Sequence, residues 1–258
     1  MRTTTDCVFR SFLVEHSNYS GWLELPAIKT SDLLPHKVIT FSKAMRKNCS
    51  DFDSWVVFYE ADKCFERLWN NPKQYISKLK RFQGVITPDF SIYRNMPLVM
   101  QMWNAYRSRA LAAWMQDNDI QLIPNVRFGD ERTYMFCFEG IEKKKTVAVG
   151  TYGCIQNHID REYFRKGLAE LIKRLTPNTI IVYGCAPEDI FSEWMHQGIH
   201  FIFFDCEHLL ESRCLLDGWR CRRRFRKDRA KVKNHSQSGI GQQKNWFCDQ
   251  TRFPSRIQ

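Results

Sequence analysis

A strand-and-helix unit repeats along this chain between residues 55 and 205, and this repeat most constrains the fold. Short β-branched and aromatic runs, such as residues 55–59 and 179–183, alternate with longer segments whose apolar residues recur at helical spacing. Continuous apolar runs are typical of strands that are covered on both faces. Strands that alternate with helices form parallel sheets with right-handed crossovers. We therefore predict an α/β fold with a mostly parallel sheet.

The same patterns place the individual elements. Strands are predicted at residues 38–41, 55–59, 84–87, 120–126, 146–149, 179–183 and 201–204. Helices are predicted at about 65–82 with a break at Asn71-Pro72, and at about 96–114, 161–175 and 189–197. The preferred architecture is a TIM-barrel-like or partial barrel of (β/α) units, and an open doubly wound sheet is the alternative.

Two details of these elements make testable expectations. Pro124 cannot donate a ladder hydrogen bond, so its strand should lie at an edge of the sheet or bulge just before Asn125. The long helix at 96–114 should be amphipathic. Its predicted apolar stripe consists of Val99, Met102, Trp103, Tyr106, Ala110 and Trp114.

Charge and composition divide the chain into three parts. Residues 1–37 contain scattered aromatics without a sustained period and are predicted to be an irregular lead-in that packs on the core. Residues 38–205 hold the (β/α) repeat. Residues 206–258 contain 13 Lys+Arg against 5 Asp+Glu, a net charge of +8 out of +11 for the whole chain. We predict a lead-in, one α/β domain and a basic C-terminal tail.

Several classes of protein are disfavoured by composition. No apolar run approaches the roughly 18 residues of a membrane span, and the N-terminus lacks a secretory signal, so we expect a cytoplasmic protein without a membrane partner. The ten cysteines include no Cys-x-x-Cys pair and are expected to be reduced, core-filling thiols, as Cys137 between two phenylalanines suggests. The spacings of Cys206, His208, Cys214 and Cys221 fit no standard zinc motif.

Polar residues gather where the predicted strands end. Ligands of parallel α/β proteins bind just beyond the carboxyl ends of the strands, so these residues are the candidates for a site. Asp89 follows Pro88 and would serve as a general base or metal ligand, or else as a turn cap. With Glu60 and Asp205, Asp89 would form a carboxylate cluster suited to Mg²⁺ or Mn²⁺.

A second group of candidates follows the strands that end near residues 126 and 150. Arg127 would bind a phosphate or carboxylate with Asp130 orienting it, or the two would form a structural pair that braces the loop at Gly129. Asn125 and Thr151 are predicted to bind the ligand. Asp130 and Tyr152 join Asp89 as candidate catalytic residues.

The basic tail is the densest run of charge in the chain. Such a run neutralises phosphates and releases their counterions, and aromatic residues within it would stack on unpaired bases. The alternative is a solvated tail that aids solubility. The predicted nucleic-acid-binding residues are Trp219, Arg220, Arg222, Arg223, Arg224, Arg226, Lys227 and Arg229.

Four separate motifs carry a resemblance to a known family. They are residues 84–97 (GVITPDFSIYRNMP), 101–109 (QMWNAYRSR), 123–130 (IPNVRFGD) and 148–154 (AVGTYGC). In this order and spacing, over roughly residues 50–205, the chain resembles a prokaryotic domain of unknown function, family 4417, which is common in phages and mobile elements. The resemblance implies a bacterial or phage context, hence the cytoplasm of a bacterial host, and it brings no catalytic residues with it.

These observations lead to one functional hypothesis and two rivals. We expect a phage or mobile-element type of protein, an enzyme acting on nucleic acid or nucleotides, with a site at the strand ends and a tail that holds the polymer. The first rival is a non-catalytic nucleic-acid-binding protein whose strand-end residues brace loops. The second is a small-molecule enzyme with an incidental tail.

Overall fold

A computed structural model of the chain describes residues 10–206, and in them the predicted α/β arrangement is confirmed. Two short antiparallel strands, β1 (Tyr19–Ser20) and β2 (Leu25–Pro26), come first. Seven strands with parallel partners follow: β3 (Val38–Thr40), β4 (Trp55–Val57), β5 (Gly84–Ile86), β6 (Leu122–Ile123), β7 (Thr146–Gly150), β8 (Thr179–Tyr183) and β9 (His200–Phe204).

Helices connect most of these strands. They are α1 (Phe41–Ala44), α2 (Asp62–Asn70), α3 (Lys73–Leu79), α4 (Leu98–Asp117), α5 (His158–Leu175) and α6 (Glu188–His196), with 3₁₀ turns at Ser11–Leu13 and Glu131–Thr133. The predicted break at Asn71-Pro72 separates α2 from α3, because proline cannot continue a helix without losing a backbone hydrogen bond.

The parallel strands lie side by side in chain order. One ladder runs β3-β4-β5-β6 and a second runs β7-β8-β9. The two are joined at the end of β6, where the Val126 amide donates to the Ala148 carbonyl and the Ala148 amide donates to the Pro124 carbonyl, both at 2.8 Å. The order contains no reversal, unlike a doubly wound sheet. Between residues 10 and 206 no pairing joins β3 to β9, so the predicted closure of a barrel is not confirmed.

Pro124 occupies a different place from the one expected of an edge strand. β6 lies between β5 and β7, and its ladder with β5 ends at Ile123, one residue before the proline. The next amide, that of Asn125, donates to the Thr87 hydroxyl at 2.9 Å instead of to a strand carbonyl. Of the two predicted alternatives, the edge position is therefore wrong. The other alternative agrees with the structure in its position, because regular pairing of β6 stops just before Asn125.

One side of the sheet packs its side chains into a single interior cluster. Every parallel strand, or the residues at its carboxyl end, contributes to it, with Val38, Trp55, Val57, Tyr59, Ile86, Ile123, Ala148, Ile181, Tyr183, Ile202, Phe204 and Cys206 as members. Gly84 makes room for this packing, because a Cβ atom there would lie 2.6 Å from the Trp55 ring.

Two further clusters cover the helical side of the sheet. One packs α1 to α4 around Phe58 and Phe65, and the other packs α5 and α6 around Val149 and Phe191. Cys137 belongs to the second cluster, as predicted for a core-filling thiol, and burial raises its pKa to about 12. None of the helices that the structure describes is both long and apolar enough to cross a membrane.

Helix α4 departs from the predicted amphipathic pattern. Val99 and Trp103, two members of the expected apolar stripe, are exposed. The helix instead buries polar side chains, namely Gln101, Asn104, Arg107, Ser108 and Arg109. The stripe prediction is therefore wrong for Val99 and Trp103, whereas Met102 and Tyr106 pack against the core. The buried polar side chains of this half share the inward face and bond to neighbouring loops.

The lead-in is more regular than predicted. Residues 10–37 contain the 3₁₀ turn and the β1–β2 hairpin, and they pack on the core through Leu13, Leu25 and Ile28. Ile28 forms a bridge with Ile141 in the segment before β7. The basic tail and its eight predicted nucleic-acid-binding residues lie outside the described part of the chain.

Candidate functional site

The carboxyl ends of β4, β5 and β6 bring polar side chains together, as predicted. Asn125 is the central residue of this group. Its side-chain oxygen accepts a hydrogen bond from the Tyr59 hydroxyl at 3.0 Å, and its amide nitrogen donates to Asp89 Oδ1 at 2.7 Å. The Asn125 backbone amide also donates to the Thr87 hydroxyl, so hydrogen bonds hold both the backbone and the side chain of this residue.

Asp89 and Arg127 form a buried ion pair next to Asn125. Arg127 Nη1 lies 3.3 Å from Asp89 Oδ2, and the two side chains are 17% and 9% exposed. Burial raises the pKa of Asp89 above its usual value, since Arg127 and Asn125 offset only part of the cost of desolvating the charge. Burial alone would lower the pKa of Arg127, but Asp89 raises it, so the guanidinium stays charged.

Two aromatic rings of the interior cluster lie at its carboxyl end, next to Asn125. Tyr59 and Tyr183 stack with ring centroids 4.7 Å apart and an interplanar angle of 17°. Gly150 permits this, because a Cβ atom there would lie 2.6 Å from the Tyr59 ring. The stacked Tyr59 ring directs its hydroxyl to Asn125, the partner of Asp89.

An open cleft of about 550 Å³ exposes the Arg127 side of the Asp89–Arg127 ion pair. Arg127 lies in its wall, together with residues from the loop after β5, the loop after β6 and the start of α5. The lining residues are Ile92, Tyr93, Arg94, Asn95, Arg127, Phe128, Gly129, Gly153, Cys154, Asp160, Tyr163 and Phe164. The volume falls in the range of small-molecule sites, which is roughly 300 to 1,000 Å³.

A second arginine lies in the wall of the cleft. The Arg94 guanidinium forms an ion pair with Asp160 and lies over the Tyr163 ring, 4.1 Å from its centroid. Asp160 is held in place as well, because its other oxygen accepts from the Asn157 side chain at 2.7 Å while its backbone amide donates to Asn157 Oδ1 at 2.9 Å. This reciprocal cap fixes the first turn of α5 at the cleft.

The loop that carries Asp89, Tyr93 and Arg94 is fastened to two helices. Ser91 donates its hydroxyl to Asp62 of α2 at 2.7 Å, and its carbonyl accepts from Asn104 of α4 at 2.7 Å. The Pro88 carbonyl accepts from the Ser108 hydroxyl at 2.7 Å. The polar inward face of α4 thus positions the residues of the cleft.

Other predicted site residues have different surroundings. Asp130 pairs with Arg132 at 2.8 Å and caps the 3₁₀ turn at Glu131–Thr133, so it does not orient Arg127. Arg132 holds the pKa of Asp130 below its usual value through this hydrogen bond. The buried Thr151 hydroxyl donates to the Cys185 carbonyl at 2.7 Å. Tyr152 is 52% exposed and does not line the cleft.

The three carboxylates predicted to bind a divalent ion are not brought together. Glu60 accepts a hydrogen bond from the Ser42 amide at 2.8 Å and so caps the first turn of α1. Within residues 10–206 no group of three His, Cys, Asp or Glu side chains has the proximity of a metal site. Asp89 has Arg127 and Asn125 as its partners rather than Glu60 or Asp205.

Comparison with known proteins places this sequence in a family. The sequence matches the family described as Domain of unknown function (DUF4417) over residues 17–205, most of the chain. The chain belongs to the DUF4417 family. The family resemblance expected from the four motifs is thereby confirmed.

Relatives of this DUF4417 protein are found in phages. It is 33% identical to the Gene 1 protein of Mycobacterium phage L5 over 166 residues, which cover 64% of this chain and 72% of that protein. It is 30% identical to the Gene 1 protein of Mycobacterium phage D29 over 166 residues, which cover 64% of this chain and 62% of that protein. The alignment thus spans less than two thirds of the second relative. No solved structure matches the chain.

The four DUF4417 motif segments converge on the cleft. Residues 84–97 supply its rim, 101–109 fasten that rim, 123–130 supply Arg127 and 148–154 supply Gly153 and Cys154. Sequence reasoning did not identify Tyr93, Arg94, Asp160 and Tyr163 as site residues. A usable signal existed for Asp160, because it follows Asn157 in a capping pattern directly after the strand-end motif at 148–154.

Proposed function

We propose that this protein binds phosphate groups of nucleic acid or of nucleotides through Arg127, at the carboxyl ends of β5, β6 and β7. One observation carries the proposal: a largely buried guanidinium, held by Asp89, lines an open cleft. A guanidinium in a site with little water binds oxyanions strongly, because its planar fork donates two parallel hydrogen bonds.

Asp89 has a positioning role in this proposal. It does not line the cleft, whereas its partner Arg127 does, so a bound anion would touch Arg127 and not Asp89. Asn125 supports Asp89, and Tyr59 supports Asn125, which makes a chain of three hydrogen-bonded contacts behind the guanidinium. We assign no catalytic or ligand-binding role to Asp130, Thr151 or Tyr152. These residues would instead stabilise the loops around the site.

Two features supplement the site. The tail, with its net charge of +8, would add sequence-independent affinity for a nucleic-acid backbone. A partial-barrel architecture would direct the strand ends to one edge, and the interior cluster shared by all seven parallel strands supports it. A binding protein and an enzyme acting on nucleotides would both need this phosphate contact.

Binding of inorganic phosphate to variants of Arg127 tests the proposal. We expect Arg127→Leu to weaken binding about 10- to 100-fold, because charge-assisted hydrogen bonds contribute roughly 1.5 to 3 kcal/mol. Arg127→Lys should weaken it less, since the charge remains while the fork is lost. Isothermal titration calorimetry of the full chain measures each dissociation constant, and circular dichroism checks that the variants fold.

Arg46→Leu is the matched control. Arg46 is an exposed arginine in the segment between α1 and β4, and it does not line the cleft. It should leave phosphate binding unchanged. Equal affinities in Arg127→Leu and the unaltered protein would show that phosphate binds elsewhere, and the proposed function would then be wrong.

A further inference from the structure

Tyr93 presents its ring to the cleft in a fixed position. Its side chain is 57% exposed, which is unusual for an aromatic residue in a motif loop. Its hydroxyl lies 3.2 Å from Ser91 Oγ, and Ser91 donates its own hydrogen to Asp62. The ring is thus anchored at its polar end while its faces remain open, as required of a surface on which a flat molecule stacks.

Arg94 is held by contacts that an anion can replace. It forms an ion pair with Asp160, whose side chain is 25% exposed, and lies over the Tyr163 ring. A carboxylate and a phosphate present similar oxygen geometry to a guanidinium. The Asp160 carboxylate therefore occupies the position on Arg94 that a phosphate oxygen would take. Asp160 also accepts a hydrogen bond from the Asn157 side chain, and it would keep this partner after leaving Arg94.

The cleft combines the two chemical features that recognise a nucleotide. Tyr93 offers a stacking surface, and Arg94 with Arg127 offers two cations within the same lining. Unpaired bases bind proteins by stacking on aromatic rings while cationic groups hold the phosphate. A volume of about 550 Å³ suits a single nucleotide and is too small for a base-paired duplex.

We propose that the cleft binds one unpaired nucleotide, with its base against Tyr93 and its phosphate between Arg94 and Arg127, where it displaces Asp160 from Arg94. This inference rests on the proposed phosphate site at Arg127 and names the ligand of that site. The nucleotide would be either free or part of a single strand, because the base and one phosphate are the same in both.

Calorimetric titration of the full-length protein with three probes tests the base contact. We expect adenosine 5′-monophosphate to bind about tenfold more tightly than inorganic phosphate, and adenosine to bind more weakly than the monophosphate. Tyr93→Leu should weaken binding of the monophosphate about tenfold and leave binding of inorganic phosphate unchanged. Tyr19→Leu removes a comparably exposed tyrosine on β1 and should change neither.

Variants at Arg94 and Asp160 test the phosphate contact. Arg94→Leu should weaken binding of both the monophosphate and inorganic phosphate. Asp160→Asn should strengthen both, because the competing carboxylate charge is removed while the cap on α5 keeps a polar side chain. Asp189→Asn, which alters the surface ion pair with Arg161, is the matched control and should have no effect. Thermal unfolding of each variant checks its fold.

The outcomes separate the two proposals. If inorganic phosphate binds through Arg127 but adenosine 5′-monophosphate binds no better, or if Tyr93→Leu has no effect, the nucleotide inference is overturned and the phosphate site stands. If phosphate binding does not depend on Arg127, both fail. A single-stranded dA oligonucleotide distinguishes the two sources: its affinity falls in Tyr93→Leu only if a nucleotide of the strand enters the cleft.

Discussion

At the scale of single residues, the Asp89–Arg127 pair dominates the chemistry of the site. Two opposite charges that are both poorly exposed depend on each other, because removing one leaves the other buried without compensation. Burial raises the pKa of Asp89, whereas Arg127 stays charged. Asp89 is therefore the member of the pair that takes up a proton when Arg127 binds another anion.

Anion binding should consequently be linked to proton uptake. Sulfate bound to Arg127 would remove the counter-charge of Asp89 and place negative charge beside it, and both changes raise the pKa of Asp89 further. Because the complex then holds this proton more tightly than the free protein, sulfate affinity should increase as pH falls through the window between the two pKa values. Titration calorimetry at several pH values, in buffers of different ionisation enthalpy, measures the uptake.

Asp89→Asn provides the control for this linkage. The amide cannot ionise and does not compete for the guanidinium, so we expect sulfate affinity that is higher near neutral pH and independent of pH. The other titratable groups that face Asp89 are Tyr59, Cys154 and Asp62, and burial raises the pKa of the first two, which keeps them protonated across the window. An unchanged pH profile in Asp89→Asn would assign the proton to another group.

At the scale of elements, helix α4 acts as a clamp for the cleft. Asn104 donates to the Ser91 carbonyl and accepts from Arg107, whose guanidinium binds Glu66 of α2 at 2.7 Å and lies over the Phe90 ring. Such a network of hydrogen bonds holds its members in one arrangement. The loop with Tyr93 and Arg94 therefore takes its position from a helix that does not itself supply either arginine of the cleft.

Removing Asn104 should reveal this positioning. Asn104→Ala leaves the Ser91 carbonyl and one Arg107 donor without a protein partner, which should destabilise the fold by about 1 to 3 kcal/mol. It should also weaken binding of adenosine 5′-monophosphate, although Asn104 does not line the cleft. Urea denaturation gives the free energy of unfolding, and calorimetry gives the affinity.

Gln116→Ala, on the same helix, is the comparison. The Gln116 amide also donates to a backbone carbonyl, that of Lys29, at 2.6 Å, but this contact lies outside the cleft. Losing this hydrogen bond should lower the free energy of unfolding without changing the affinity for adenosine 5′-monophosphate. If Asn104→Ala behaved in the same way, α4 would stabilise the fold without positioning the site.

At the scale of the whole molecule, the uneven distribution of charge distinguishes two proposed modes of binding, one in the cleft and one at the tail. The first 205 residues have a net charge of +3, whereas residues 206–258 have +8. The cleft would contact one nucleotide at short range, while the tail would neutralise several phosphates without regard to sequence. The two contributions should respond differently to salt.

Neutralising part of the tail tests this separation. Replacing Arg222, Arg223 and Arg224 with Ala in the full chain should reduce the slope of log affinity against log salt for single-stranded DNA by about 2, since each lost phosphate contact contributes about 0.7. Binding of adenosine 5′-monophosphate in the cleft should not change. Fluorescence anisotropy over a series of salt concentrations measures the slope, and an unaltered slope would exclude these arginines from the DNA contact.

Much of the fold follows from patterns that are local in sequence. The apolar runs that became β4 and β8, the proline break between α2 and α3, and the polar residues at the strand ends were all predictable, because each depends on near neighbours. The partner of Arg127 was not. Asp130 is three residues away and is the partner that the sequence predicts, yet Asp130 pairs with Arg132 and Arg127 reaches Asp89 in the loop after β5.

By itself, therefore, the sequence determined the order of strands and helices and the edge of the sheet where polar residues gather. Only the tertiary structure decided which of them meet: Arg127 with Asp89, Arg94 with Asp160, and the polar face of α4 with the loop after β5. The physical reason is range. Burial periodicity acts over a few residues, whereas these pairs are separated by 38, 66 and 13 residues and depend on strand register and helix packing.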